Sequence, residues 1–584
     1  MARNSHTTMV PITRDSAIAG LAQTAPGDAG VSWIGGTGGN GDWNTGADWT
    51  GGSVPGAAAT AVFATGDFGY TVTGDATIGA IQVNGDGVTF DGAITENAGG
   101  AAQFLTATNG ADVTLDANSF VTGQGVNFAD GTLLEVQGTL LTTGGTADVV
   151  LVDGLSADAI TSGALTLNQL YVQNGASFTG DVALNDGGNI TLDTSSSFGG
   201  GSITLAGSAT IYEAAAPGGN GGSGSVADNI AFATSGTLNL AADPGVTLLV
   251  SGNITGAGSL VVSGGTVELS GDNTYTGGTD VQFGTLQIDT ATALPSSLVI
   301  LSGGALVTEQ LATGILMDTV IAAAGTSDTV NAIGGSLLVF GAGGDAITFL
   351  GGADSSTIVG GLAAVTYTGG SAGDVVFGGA GETNFTGGTG VSTVIGGSGE
   401  VIANGGVGGA VIYGGTSGLD QLSTGSGNST LVGGSAATYN VTGGGNSLIV
   451  NSFGGQVNAN QATGTDTIFG GDSANTILAG GGTQIDVLQT GNTSLFANYG
   501  TSEVFGGSGD LHLYLTNGFG GGSVDIVGLS LNQLNITLTD YAPNAVEQAL
   551  ANDTVASGNT YFTLSDNTHV NLFGITGLTA ANFS

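Results

Sequence analysis

The chain has 584 residues, among them 114 glycines, 45 acidic residues and only two basic ones, Arg3 and Arg14, for a formal charge of −43. With only these two cations to neutralise phosphates, the chain argues against nucleic acid as a partner and against attraction to anionic membrane surfaces. The absence of cysteine excludes disulfides, thiolate metal sites and a cysteine nucleophile. A hydrophobic fraction of 40% with only 8% charged residues argues against disorder.

Residues 1–30 are polar and weakly patterned and read as an arm or leader. They lack the continuous apolar core of a signal peptide. No later stretch reaches the length of a membrane span, so none is expected. Trp33, Trp43 and Trp49 are the only tryptophans of the chain. Large aromatics gathered at one end of a glycine-rich coil are expected to plug its open core. A carbohydrate-stacking platform is the other reading.

From about 60 to 340, short apolar runs such as YTVTG, AIQVNG, LLEVQG and LLVSG end in Gly, Asn or Asp. Each is strand-length, and loops alone join such strands in a parallel β-helix. Gly256 to Ile288 reads GAGSLVVSGGTVELSGDNTYTGGTDVQFGTLQI. Through Leu260, Gly264, Gly265, Leu269, Asn273, Tyr275, Gly277, Gly278, Gly284 and Leu286 it resembles the strand repeat of autotransporter passenger domains. The likeness is close here and loose over 31–340, and it implies a right-handed parallel β-helix. No later segment reads as a membrane barrel, so self-transport by that family's route is not expected.

Next come glycine pairs in strict time, Gly351-Gly352, Gly360-Gly361, Gly369-Gly370 and so on to Gly414-Gly415, one every nine residues. Such a period suits a coil of short parallel strands. Glycine is expected at its corners because it reaches positive φ without a Cβ clash. An apolar residue recurs in step at Ile358, Tyr367, Val376, Phe385, Val394 and Ile412. The unit resembles the repeats-in-toxin β-roll, G-G-x-G-x-D-x-U-x, with U apolar. That resemblance implies Ca²⁺ held between rungs by the aspartate at the sixth position and by glycine-turn carbonyls.

In the regular array only Asp374 occupies this sixth position; Ser356, Val365, Thr383, Ser392, Val401, Ala410 and Leu419 stand there elsewhere. After Gly415 the phase slips. A second stretch, GTDTIFGGDSANTILAGG, sets Asp466 and Asn475 nine apart with Asp472 between them. A few calcium sites are therefore expected, at Asp374, Asp466 and Asp472. The alternative is that these acids face solvent, and that apolar stacks and hydroxyl ladders hold the roll.

Pro543 to Asp553 reads as a helix with proline in its first turn. Gly558 to Ser584 resembles the C-terminal segments of type I-secreted repeat proteins, through Phe562, Leu564, Asp566, Val570, Leu572, Gly574, Leu578 and Phe583. The resemblance implies export without an N-terminal signal. Catalysis finds little footing: His6, His512 and His569 are isolated, and no nucleophile elbow, zinc helix or phosphate loop is present. No catalytic residue and no organic cofactor are expected.

The expected fold is all-β, an elongated parallel β-solenoid. Its expected parts are an arm (1–30), a β-helix with a tryptophan cap (31–340), a β-roll (341–520) and a C-terminal cap carrying the secretion signal (521–584). The expected function is that of a secreted, non-enzymatic bacterial cell-surface protein that polymerises with itself into a fibre, surface layer or biofilm-matrix element. The second reading is a non-polymerising adhesin for a host or cell-surface glycan or an extracellular polysaccharide. The third is a polysaccharide-active β-helix enzyme.

Overall fold

The computed structural model describes residues 30–584, apart from 35–39, 65–68, 86, 98–102, 156, 217–221, 291, 296–298, 309–317, 323–327, 342–345, 435–436 and 520. The expected arm, 1–30, lies almost wholly outside the described residues. The rest is a parallel β-solenoid of about 23 coils, as expected. Among the described residues 58 strands form one hydrogen-bonded system.

Three ladders run along the first half. The first contains Asp112–Leu115 and Leu133–Val136. The second contains Phe120–Gly123 and Thr139–Thr142. The third contains Leu105–Thr108 and Val126–Phe128. The chain visits them in turn, once per coil. Some strands wrap a corner: in Gly145–Asp153, Gly145 pairs with Val126 in the third ladder and Val149–Val152 pair with Leu133–Val136 in the first. Along the straight part of a strand side chains alternate. Leu134 and Val136 point inward and are buried, while Leu133 and Glu135 point outward, which is the period of two that a strand imposes.

The third ladder ends at Ile254–Thr255. Asn273, in the passenger-like segment, takes over its stacking. Its Oδ1 accepts the Ile254 N–H at 2.7 Å and its Nδ2 donates to the Ala293 carbonyl at 2.5 Å. Beyond Val299 the described strands form two ladders, which continue to His569–Phe573 and Leu534–Thr539. The change of cross-section thus precedes the onset of the nine-residue period.

Glycine recurs at the corners for a different reason from the one expected. Within the regular array of pairs only Gly406 has positive φ. The constraint is contact between coils. A Cβ on Gly379 would lie 1.9 Å from the Gly361 carbonyl oxygen, and one on Gly397 would lie 1.9 Å from that of Gly379. Corner stacks on corner, and only a residue without a side chain lets the backbones meet.

The ends are closed differently. Trp49 sits with its ring centroid 4.8 Å from Trp33 and 5.0 Å from Trp43, and donates its indole N–H to the Trp43 carbonyl at 2.9 Å. These rings pack on Phe63 and, through it, on Phe90, filling the first coils with aromatic surface. At the other end the helix Ala545–Ala551 precedes an antiparallel hairpin, Asn559–Thr563 with His569–Phe573. The second of these strands also extends the first ladder.

Candidate functional site

In the regular nine-residue array two positions of the unit point inward, the sixth and the eighth. The eighth builds the core: Ile358, Val376, Val394 and Ile412 stack on one another at full burial. The sixth lies at the corner, and in the first ladder it is mostly polar and buried, as at Ser356, Asp374, Ser392, Ser429, Ser447 and Asp466.

These side chains clasp one coil to the next. Ser356 Oγ accepts the Leu337 N–H at 3.2 Å, and Asp374 Oδ1 accepts the Ser356 N–H. Ser392 Oγ accepts the Asp374 N–H at 3.2 Å, Ser429 Oγ that of Ala410 at 3.1 Å, and Asp466 Oδ1 that of Ser447 at 2.9 Å. The clasped N–H needs a side-chain partner because the preceding coil's carbonyl is already taken by the next residue. Val375 N–H bonds the Ser356 carbonyl at 3.0 Å and Thr393 N–H that of Asp374 at 2.8 Å. A buried N–H left unpaired costs about 1–3 kcal/mol. The position therefore selects an acceptor, and serine serves as well as aspartate.

Of the expected calcium ligands, Asp374 and Asp466 share this column, with the coils of Ser392, Ala410, Ser429 and Ser447 between them. At ~4.8 Å a coil that is a separation of about 24 Å. Asp374 holds donors on both oxygens, the second being the Tyr367 hydroxyl. Burial raises the Asp374 carboxyl above its usual range, with the Tyr367 and Ser356 bonds opposing that rise. Burial likewise raises Asp466. Asp472 lies exposed at a corner and accepts the Thr490 hydroxyl at 2.7 Å. Among the described residues no three of His, Asp and Glu converge as a metal cluster.

Several interior polar residues were not anticipated. The phase slip after Gly415 leaves Leu419 exposed and turns Asp420 inward, where it accepts the N–H groups of Val401 at 3.0 Å and of Gly415 and Gly434 at 3.2 Å. In Thr483–Val487 both inward residues are polar, Gln484 and Asp486. Gln484 stacks on Asp466, and Asp486 takes the apolar eighth position between Ile468 and Val504. Asp466 Oδ2, both amide atoms of Gln484 and both oxygens of Asp486 have no hydrogen-bond partner. Burial lifts the Asp486 carboxyl from 3.8 to about 7.

A second such group is Glu213, fully buried, with neither oxygen bonded. It packs so tightly on Gly224 that a Cβ there would lie 2.0 Å from the carboxylate. Burial and, after it, the neighbouring Asp193 raise Glu213 from 4.5 to about 8. No lysine or arginine exists beyond Arg14 to neutralise either acid.

The surface carries open grooves. One of about 550 Å³ is lined by Gly370, Gly388, Thr389, Asn404, Val407 and Ser426 and offers no titratable group. Another of about 600 Å³ includes Asp510, His512, Gln533, Asn535, Asn582 and Ser584. His512 lies on the outer face of the second ladder, where Nε2 meets the Thr537 hydroxyl at 2.7 Å and Nδ1 that of Tyr514 at 3.2 Å. Compared with protein-family models, with curated proteins and with solved structures, the chain matches none.

Proposed function

We propose that this chain is a secreted structural protein of a bacterial cell surface, acting as a rod that assembles with further copies into a fibre, layer or matrix element. The observation that carries the reading is the stack of about 23 coils, a rod of roughly 110 Å at ~4.8 Å a coil. Ladder bonds hold the coils, and glycine corners and interior clasps add to them in the two-ladder part, an arrangement suited to spacing and bearing load. The passenger-like segment, the nonapeptide repeat and the C-terminal likeness to type I-secreted proteins support an extracellular setting. So does the charge of −43, which favours solubility outside a cell.

Calcium belongs to the same proposal, as the counter-ion of a chain without lysine. Asp466 is the interior acid among the expected ligands with an oxygen still lacking a donor. Electron microscopy and sedimentation of purified protein in calcium buffer test the assembly; monodisperse monomers under every condition would refute it. A glycan-binding adhesin is the second reading, favoured by the groove at Asp510, Gln533 and Asn535 beside the stacked pair Phe496 and Tyr514. A glycan array distinguishes it.

A further inference from the structure

The two ladders of the second half differ on their outer faces. In the first ladder the ninth position of the unit points outward, and the register stacks it on the same position of the next coil. Ile300 pairs with Ile321, Phe377 with Ile395 and Ile395 with Tyr413. The same stacking continues without a break to Val527 and Phe573. Every residue in this file is aliphatic or aromatic. The outward seventh position beside it is Thr, Val, Leu or Ile up to Ile485, so the strip bears no charge until Glu503.

Strand propensity does not require this. The second ladder makes equally regular strands while facing water with residues such as Thr366, Thr368, Asn384, Thr386 and Asn404. Nor does the core need it, since these side chains point away from the core. Phe377, Ile395, Tyr413, Phe505 and Val527 remain 37–43% exposed. The file covers more than half of the about 23 coils, a length on the order of 60 Å.

We infer that this strip is a lateral docking surface for a second copy of the same chain, the two solenoids lying side by side with their apolar files in contact. The inference deepens the assembly proposed above and rests on it. Three observations select a second copy. The first is charge: a protein of −43 repels itself wherever acids face each other, and this strip lets two copies meet with no acid between them over most of its length. The second is period. Side chains repeat along the strip once per coil, so only a surface with the same ~4.8 Å repeat interlocks along its whole length, as in a steric zipper. The third is area. A strip of roughly 60 Å by 10 Å covers on the order of 600 Å² a side, as large as the largest patches of ordinary monomers and close to the ~800 Å² a side of a stable interface. A two-fold axis across the strip closes the contact as a dimer.

The test uses the full chain with Phe377→Thr, Ile395→Thr and Tyr413→Thr together, which keeps the strand-forming character and adds no charge. Asn384→Ser with Asn404→Ser on the opposite face is the control, and circular dichroism checks that both variants are folded. Sedimentation should show a wild-type dimer that strengthens with salt, a dissociation constant raised at least 100-fold in the triple variant, and no change in the control. Because the chain has no cysteine, Tyr413→Cys should cross-link under oxidation at least 10-fold faster than Asn404→Cys, a readout independent of the triple variant's folding. Wild-type monomers at all concentrations, or pairing that the triple variant retains, would overturn the inference. Filaments one solenoid wide would also overturn it, while leaving the proposed assembly standing.

Discussion

Replacing Asp486 should stabilise the protein, and the gain should depend on pH. The residue fills a position that Ile468 and Val504 fill in the adjacent coils, and neither oxygen has a partner. Its carboxyl is lifted from 3.8 to about 7 by burial. The unfolded chain releases this proton near pH 4 and the folded chain near pH 7. Between those values the folded state holds the extra proton, so stability falls as the pH rises. About three units at ~1.36 kcal/mol each give a penalty of about 4 kcal/mol, fully developed by pH 8 and absent below pH 4. Asp486→Val removes that penalty and buries an aliphatic side chain worth roughly 2 kcal/mol. The variant should therefore exceed the parent by about 2 kcal/mol at pH 4 and by about 6 kcal/mol at pH 8. Asp486→Asn should abolish the pH-dependent part and keep the unpaired polar group. Urea unfolding followed by circular dichroism at both pH values measures the differences, and comparison with the parent cancels the parallel titration of Glu213. A less stable Asp486→Val at pH 8, or a difference that pH does not change, would refute the reasoning.

Glu213→Gln should likewise flatten the fall in stability between pH 4 and about 8, the value to which burial and Asp193 raise Glu213, as read from unfolding midpoints across pH. Asp374→Val should lose about 1–3 kcal/mol in urea unfolding by orphaning the Ser356 N–H; Asp374→Ser should lose less, because serine closes the same clasp in neighbouring coils. Gly379→Ala should cost about 1–3 kcal/mol by overpacking against Gly361, and should exceed Gly574→Ala, where a Cβ meets nothing and only a φ of +75° resists; thermal midpoints compare them. EDTA should lower the unfolding midpoint while leaving the folded strand signal intact, since hydrogen bonds close the clasps; collapse of that signal on chelation would mean that the acids hold calcium instead.

The nine-residue beat makes the coil legible in the sequence, because contact between successive corners repeats with the chain's own period. It did not reveal why glycine was needed: positive φ and close approach select the same residue. The beat also located the sixth position, yet its chemistry was hidden. A clasp for a backbone N–H and a ligand for a cation both ask for an oxygen, and only the hydrogen bonds of Ser356, Asp374 and Ser392 separate the two. Asp486 was concealed by alternation itself. Read alone, TQIDV places Ile485 and Val487 inside and Gln484 and Asp486 outside. The structure does the reverse, because the strand takes its register from Asp466, which pairs with Gln484. That spacing was the available signal. The apolar strip was equally hidden, since Phe377 and Tyr413 belong to one surface only once the coils are stacked.

The end of the third ladder at Thr255 has a mechanical consequence. A three-walled tube resists bending about every transverse axis. Two stacked sheets about 10 Å apart resist it strongly in their plane and weakly across their thickness. A sideways pull on this rod would therefore be absorbed beyond Val299, where the molecule behaves as a ribbon, while the N-terminal shaft stays straight.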